Sequence, residues 1–171
     1  MANILIAYYS RKGQNYWNGS IKNLMKGNTE IIAEMIEEAV GGELFEIDTI
    51  KDYPEDYYKC IDIAKEEMLA NARPELTEVV DDINKYDVIF LGYPNWWGTM
   101  PMPVFTFLES YDMSGKIIIP FCTNEGSGMG SSEHDLKKVC PNSEIKKGLP
   151  IHGAEAAKSQ NLVEKWVRKS I

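Results

Sequence analysis

The 171-residue sequence has few of the side chains that build disulfides or metal sites. It contains three cysteines and two histidines. An odd number of widely spaced cysteines (Cys60, Cys122 and Cys140) is typical of reduced thiols, and it favours a cytoplasmic protein over a disulfide framework. Neither a His-Glu-x-x-His nor a Cys-x-x-Cys motif occurs, and His134 and His152 are not spaced as metal ligands. The sequence therefore predicts no metal centre.

Membrane, secretion and nucleic-acid signals are also missing. No segment approaches the roughly 20 apolar residues of a membrane span. The amino-terminal apolar run is short and lacks a basic region before it, so we expect no signal peptide. The formal net charge of −8 opposes binding to nucleic acid. The phosphate-binding motif Gly-x-x-x-x-Gly-Lys-Ser/Thr does not occur, which argues against a nucleoside triphosphatase.

What the sequence does have is an alternation of strand-like and helix-like segments. With 44% hydrophobic residues, it is long enough to bury a core as one domain spanning residues 1–171. Apolar runs predict strands at 3–9, 43–47, 88–91, 116–122 and 143–147, with 43–47 at a sheet edge because its polar and apolar residues alternate. Helical spacing predicts helices at 29–40, 56–71, 103–110, 132–139 and 155–169, with a short helix or turn at 77–84.

This alternation predicts an α/β fold in three layers. We expect a doubly wound, five-stranded parallel sheet of order 2-1-3-4-5, with helices on both faces. Ligands bind such sheets at the carboxyl ends of the strands, where the strand order reverses. The loops after Tyr9, Gly92 and Cys122 should therefore surround one crevice.

The loop after the third predicted strand is the most informative segment. It places two of the four tryptophans at the carboxyl end of a buried strand, in the run Pro94, Asn95, Trp96, Trp97 and Gly98. Such a loop is suited to hold a flat, aromatic molecule. Adjacent residues on extended backbone point to opposite sides, so at least one of the two indoles should pack against the protein. The alternative is that both pack in the core or at a subunit interface.

Two further loops complete the predicted crevice. Ser10 precedes the first helix region, and Asn28 and Thr29 open that helix, whose free N–H groups and partial positive charge suit an anion. The alternative is that Asn28 or Thr29 only caps the helix. The third loop is glycine-rich but lacks the spacing of a dinucleotide fingerprint. It contains Thr123, Asn124, Glu125, Gly126, Ser127 and Gly128.

Together these segments resemble the flavodoxin family. The most specific parts are Pro-x-Trp-Trp-Gly-Thr at 94–99 and Gly-Ser-Gly-x-Gly at 126–130. Tyr-Ser-Arg at 9–11, Gly-Asn-Thr at 27–29, Tyr-Pro at 53–54 and Asn-Ala-Arg-Pro at 71–74 extend the resemblance over almost the whole chain. It implies a non-covalently bound FMN. By this resemblance its phosphate lies among Ser10, Lys12, Asn28 and Thr29, residues 94–98 line the flavin, and residues 123–128 contact its pyrimidine edge or other face.

Three features depart from the family pattern. Residues 13–26 lie like an insertion within the phosphate loop, and Lys12 stands where a hydroxyl residue is usual. The insertion carries Tyr16 and Trp17, which could cap the flavin, build a substrate pocket or form a dimer contact. Asn124 and Glu125 stand where small residues are common. A carboxylate near the flavin would lower its reduction potential, because negative charge disfavours a reduced flavin anion.

The resemblance implies a redox protein that transfers electrons through FMN, and we expect an electron carrier between protein partners. The alternative is an FMN-dependent NAD(P)H:quinone or related small-molecule oxidoreductase, because fold and flavin site do not settle the partner. No separate catalytic residues are visible, and Cys122 is expected to be a buried apolar residue. A phospho-receiver is excluded, since Tyr9, Ser10 and residues 93–95 occupy the positions of its aspartates. The chain could be a monomer or a homodimer.

Overall fold

The computed structural model describes residues 3–171. In chain order the elements are β1 Ile4–Tyr8, β2 Gly13–Trp17, β3 Ser20–Leu24, α1 Asn28–Val40, β4 Glu43–Glu46, α2 Tyr57–Leu69, β5 Val88–Pro94, α3 Met102–Glu109, β6 Ile117–Asn124, α4 Ser132–Val139, β7 Glu144–Ile145, β8 Leu149–His152 and α5 Gln160–Ser170. Short 3-10 helices lie at Ile83–Lys85 and Gly153–Lys158. None of the helices described is long and apolar enough to cross a membrane.

The main sheet is parallel and has six strands. Its order is β4-β1-β5-β6, and both β7 and β8 pair with β6 on its other side. The predicted order 2-1-3-4-5 is therefore confirmed, whereas the predicted count of five strands is wrong. The fifth position is divided: β7 pairs with the start of β6 and β8 with its end. Pro150 lacks an N–H group, which restricts β8 to a sheet edge and weakens its sequence signal.

Helices cover both faces of this sheet, as predicted. On one face α1 and α5 pack against side chains of β1, β5 and β6, with Phe90 and Phe121 fully buried between them. On the other face α3 and α4 cover the alternate side chains of the same strands, including Ile89 and Leu91. Because the central strands are buried on both sides, they appear in the sequence as continuous apolar runs.

Several predicted bounds need correction. The third predicted strand continues to Pro94 instead of stopping at residue 91. The helix predicted at 155–169 is two elements, because Ser159 N–H bonds to the Ala156 carbonyl oxygen (3.1 Å) and closes a 3-10 segment before α5 begins. The segment 77–84 contains only the start of the 3-10 turn Ile83–Lys85.

The apparent insertion at 13–26 is a β-hairpin. Strands β2 and β3 pair antiparallel and form a two-stranded sheet separate from the main one. Asn18 and Gly19 connect them with φ values of 50° and 87°, as in a type I′ turn. An Asn-Gly pair between two strand-like runs is a strong hairpin signal, so the sequence contained evidence for this element that our predictions did not use.

Candidate ligand site at the strand ends

A cavity of about 310 Å³ lies at the carboxyl ends of β1, β5 and β6. The three predicted loops contribute to it, and so does the hairpin, for whose Tyr16 and Trp17 a flavin cap or substrate pocket was one alternative; Tyr16 lines the cavity and Trp17 does not. Helix α2 also contributes, and no prediction assigned it to the site. Its lining residues are Arg11, Asn15, Tyr16, Asn28, Tyr57, Cys60, Ile61, Ala64, Pro94, Asn95, Trp96, Trp97, Thr123, Asn124, Glu125, Ser127 and Gly153.

Most of the predicted site residues meet at this cavity. Those that line it are Asn28, Pro94, Asn95, Trp96, Trp97, Thr123, Asn124, Glu125 and Ser127. Those that do not line it are Ser10, Lys12, Thr29, Gly98, Gly126 and Gly128. The surroundings of the second group explain this. Lys12 is exposed, and the others make hydrogen bonds within or between the loops: Ser10, Thr29, Gly98, Gly126 and Gly128.

The Trp96–Trp97 segment forms a tight turn. Trp96 N–H donates to the Thr99 carbonyl oxygen (2.9 Å), and Thr99 N–H donates back to the Trp96 carbonyl oxygen (3.3 Å). The two central residues, Trp97 and Gly98, have φ values of 56° and 85°, which define a type I′ turn. A bulky residue is uncommon at positive φ. This turn, rather than an extended backbone, separates the directions of the two indole rings.

The two indoles have different surroundings. Trp96 packs edge-on against Tyr9 and Tyr53, with ring centroids 5.2 and 5.1 Å away, and it contacts the buried core. Trp97 is 44% exposed, its Nε1 donates to the Ile61 carbonyl oxygen (2.8 Å), and Lys65 Nζ lies 4.9 Å from its ring centroid. Both indoles line the cavity, but Trp96 also packs against the core, whereas Trp97 is the more exposed of the two.

Asn95 joins the second loop to the third. Its backbone N–H donates to the Thr123 carbonyl oxygen and its Nδ2 to the Gly128 carbonyl oxygen, both at 2.9 Å. Its Oδ1 accepts from Gly98 N–H, also at 2.9 Å. Gly130 lies against this joint, since a Cβ there would come within 2.3 Å of the Gly98 carbonyl oxygen. Gly98 and Gly128 thus fix the loops through their backbone groups.

Buried polar groups connect the end of β5 with the third loop and the start of α4. Tyr93 and Ser132 share a hydrogen bond of 2.9 Å, and Ser132 Oγ donates to the Met129 carbonyl oxygen (2.6 Å). Cys122 is 1% exposed, and burial raises the pKa of its thiol to about 12. A thiol with that pKa stays neutral at pH 7, in agreement with the expectation that Cys122 is a small apolar residue.

The hydroxyl groups of the first loop already make hydrogen bonds within the protein. Ser10 Oγ accepts from Glu30 N–H (3.1 Å), and a Cβ on Gly27 would lie 2.1 Å from that oxygen. Thr29 and Thr123 share a buried hydroxyl hydrogen bond of 2.8 Å. Because Gly27 has no side chain to cap α1, Ser10 performs that function from outside the helix. The alternative prediction, that Asn28 or Thr29 caps the helix, is therefore wrong, because the capping side chain is Ser10.

Lys12 and Asn28 differ in their relation to the cavity. Lys12 is exposed and its charge acts on Glu46, opposing the burial that raises the pKa of that carboxyl group. Asn28 lines the cavity, and its Oδ1 is buried without a hydrogen-bond partner among residues 3–171. A buried, unpaired polar atom costs about 1–3 kcal/mol. The unpaired atom is a buried acceptor, so a hydrogen bond from Asn28 to an anion at the cavity has to come from its Nδ2 group.

Helix α2 supplies a wall that faces the cavity. Tyr57, Cys60, Ile61 and Ala64 follow the i, i+3, i+4, i+7 spacing of one helical face, and all four line the cavity. Periodicity predicts such a face, but it does not say whether the face covers a core or a cavity. Burial raises the pKa of the Cys60 thiol, with the charge of Arg11 acting in the opposite direction, so Cys60 remains protonated near neutral pH.

The hairpin is anchored around the same cavity. Arg11 Nε donates to the Gln14 carbonyl oxygen (3.0 Å), and Gln14 Oε1 accepts from the N–H of Tyr57 at the start of α2 (2.8 Å). At the hairpin tip, Asn18 N–H donates to Glu125 Oε1 (2.9 Å). His152 Nε2 lies 2.9 Å from Asn18 Oδ1 and 3.4 Å from Glu125 Oε2. The hairpin is therefore connected to both α2 and the third loop.

The fold and the cavity define a doubly wound α/β protein with an aromatic-walled ligand site at its switch point. The chain belongs to the flavodoxin family, since a family model described as flavodoxin matches residues 21–170. A comparison with curated proteins finds no match.

Solved structures agree with this assignment. A candidate flavoprotein from Bacteroides uniformis is 30% identical, with 98% of each chain covered and a TM-score of 0.79. One from Bacteroides eggerthii is 29% identical, covering 99% of this chain and 98% of its own, with a TM-score of 0.80. A flavoprotein in complex with FMN from Lactobacillus acidophilus is 25% identical, covering 92% of this chain and 98% of its own, with a TM-score of 0.68.

Proposed function

We propose that this protein binds FMN non-covalently in the cavity and transfers electrons through it. The observation that carries the proposal is the cavity itself: it joins the exposed indole of Trp97 to Asn28 at the start of α1. A flat aromatic wall suits a flavin ring, and a helix amino terminus suits its phosphate. Membership of the flavodoxin family and similarity to a flavoprotein that binds FMN support the same cofactor.

Each loop has a role in holding the cofactor. Trp97 and Pro94 provide apolar surface for the ring, while Asn124 and Ser127 of the third loop, which also line the cavity, lie at its edge. Asn28 and the free N–H groups at the start of α1 hold the phosphate, Ser10 and Thr29 lie at the same helix end, and Lys12 follows in the first loop. Bound FMN supplies the redox chemistry, and the protein supplies binding, orientation and electrostatics.

An electron carrier needs a protein partner, whereas a reductase needs a pocket for a small molecule. The net charge of −8 suits steering toward basic partners. The second candidate function, an FMN-dependent NAD(P)H:quinone or related reductase, is favoured by one specific observation: the hairpin and α2 add an aromatic wall to the cavity. All three cysteines are free and buried, which supports a reducing compartment such as the cytoplasm.

Steady-state kinetics separate the two candidates. The purified protein is saturated with FMN and assayed for NADPH oxidation with a quinone as electron acceptor. A carrier gives negligible turnover alone and passes electrons to cytochrome c once a separate NADPH-dependent flavoprotein reductase is added. Rapid turnover by the protein alone would contradict the carrier function and support the reductase.

A further inference from the structure

The hairpin presents a second aromatic surface at the cavity. Tyr16 stacks on Tyr57, with ring centroids 5.4 Å apart and planes inclined by 28°. Both residues line the cavity, and Tyr16 remains 37% exposed. The hairpin forms its own two-stranded sheet, so its aromatic side chains are not part of the main-sheet core. Packing of the core therefore does not account for the position of Tyr16.

Tyr16 is held in place before any ligand binds. Gln14 Oε1 accepts from Tyr57 N–H (2.8 Å), which fixes β2 against the start of α2. The contact of Asn18 N–H with Glu125 Oε1 (2.9 Å) fixes the other end of β2 against the third loop. A ring that is already ordered loses little conformational entropy when a planar molecule stacks on it.

The charged groups at this end of the cavity are already paired. Arg11 donates to the carbonyl oxygens of Gln14, Pro54 and Glu55 at 2.9–3.0 Å. Glu125 accepts from Asn18 N–H and lies 3.4 Å from His152. The surface left for a ligand is thus an aromatic face beside the Glu125 carboxylate, which disfavours an anion there. Such a surface favours a planar, uncharged molecule over a charged one.

We propose that Tyr16, supported by Tyr57, is the subsite for a planar, uncharged electron acceptor of the quinone class. This inference rests on the proposed binding of FMN. In the reaction, the quinone gains two electrons and two protons and becomes the hydroquinone. Those two electrons and two protons would be supplied by reduced FMN bound in the cavity, which would thereby be oxidised. Tyr16 stacks on the acceptor ring and takes no part in the proton or electron transfer.

Rapid mixing tests the subsite. FMN-loaded protein is reduced without oxygen by one equivalent of dithionite and mixed with increasing menadione, a naphthoquinone. The dependence of the reoxidation rate on menadione gives an acceptor dissociation constant and a limiting rate. Loss of one stacking contact in Tyr16→Ala should raise that constant about five- to tenfold, with the limiting rate and the FMN dissociation constant unchanged. Tyr16→Phe should behave as the unchanged protein, and Tyr16→Leu, which keeps apolar bulk, should behave as Tyr16→Ala.

Trp17→Ala is the matched control. Trp17 is the next residue on β2, it does not line the cavity, and its ring lies under Lys22 Nζ at 4.2 Å. This variant should leave the acceptor constant unchanged. Ferricyanide, an acceptor without an aromatic ring, provides the second control and should react with every variant at the same rate.

Three results would overturn the inference: an acceptor constant independent of Tyr16, an equal effect on ferricyanide, or weaker FMN binding in Tyr16→Ala. The last result would assign Tyr16 to the cofactor. Failure of the unchanged protein to bind FMN would contradict the proposed function and, with it, this inference. Bound FMN with a Tyr16-independent acceptor constant would contradict this inference alone.

Discussion

The two ends of the cavity use their side chains in opposite ways. At the aromatic end, formed by Trp97, Tyr16 and Tyr57, rings lie at the cavity with free surface. At the α1 end, the hydroxyls of Ser10 and Thr29 bond within the protein, while the Asn28 oxygen is unpaired. Residue type alone therefore does not identify a ligand contact. The bonds that a side chain already makes within the protein decide whether it is available.

The largest expected effect distinguishes the roles of the adjacent residues Trp96 and Trp97. Trp96→Ala should lower the free energy of unfolding by about 3 kcal/mol, because it leaves a cavity beside Tyr9 and Tyr53. Trp97→Ala should change that free energy by less than about 1 kcal/mol but weaken FMN binding about tenfold, because it removes exposed stacking surface. Urea denaturation without ligand and FMN titration measure the two effects. The reverse pattern would contradict the assignment of the two rings.

The second prediction concerns the α1 end. Asn28→Ala should weaken FMN binding about tenfold without affecting riboflavin, because it removes the Nδ2 donor that we assign to the phosphate. Ser10→Ala should instead cost about 1 kcal/mol of folding stability, because it removes the external cap of α1, and leave the FMN-to-riboflavin affinity ratio unchanged. Fluorescence titrations with both flavins measure the ratios. Equal losses of affinity for FMN and riboflavin in Asn28→Ala would show that Asn28 does not contact the phosphate.

Glu125 also lines the cavity, and its substitution should give a smaller effect. Removing its charge with Glu125→Gln should raise the potential for adding the second electron by roughly 30 mV, since 59 mV per electron corresponds to about 1.4 kcal/mol. Glu38→Gln, which removes an exposed charge near the far end of α1, is the matched control and should change the potential little. Equal potentials for Glu125→Gln and the unchanged protein, measured by redox titration, would show that Glu125 does not lower the flavin potential.

The smallest effect concerns the support behind Trp96. Tyr53 hydrogen-bonds to Glu67 (2.5 Å), and burial raises the pKa of the Glu67 carboxyl group despite that bond. Because the folded-state pKa is raised, the stability that Glu67 contributes is complete below its unfolded value of about 4.3 and declines as the pH rises through the folded value. As the pH rises from the unfolded to the folded pKa of Glu67, the free energy of unfolding of the unchanged protein should therefore fall by less than about 1 kcal/mol relative to that of Glu67→Gln. Denaturation at several pH values checks it, and an opposite slope would contradict the assigned direction.

The parts of the fold that could be predicted are those with a strong local signal. β1, β5 and β6 are continuous apolar runs because both of their faces are buried, and α1 shows regular helical spacing. β8 was missed because Pro150 weakens the strand signal of a short edge segment. The hairpin was missed although Asn18-Gly19 indicates one.

The site was predictable as three loops but not in its internal bonding. Strand order brings the loops together, and that order follows from the alternation of elements. The capping of α1 by Ser10 depends on Gly27 lying against it, a contact between residues separated by the whole hairpin. The outward position of Trp97 depends on a positive φ, which a bulky residue seldom adopts. Such features arise from tertiary contacts and leave no periodic trace in the sequence.

Titration of the purified, ligand-free protein with FMN tests the central claim most directly. Flavin fluorescence and absorbance should change together and saturate at one FMN per chain, and the Trp97→Ala variant should bind more weakly, as predicted above. A protein whose addition leaves the FMN spectrum and fluorescence unchanged would contradict the account.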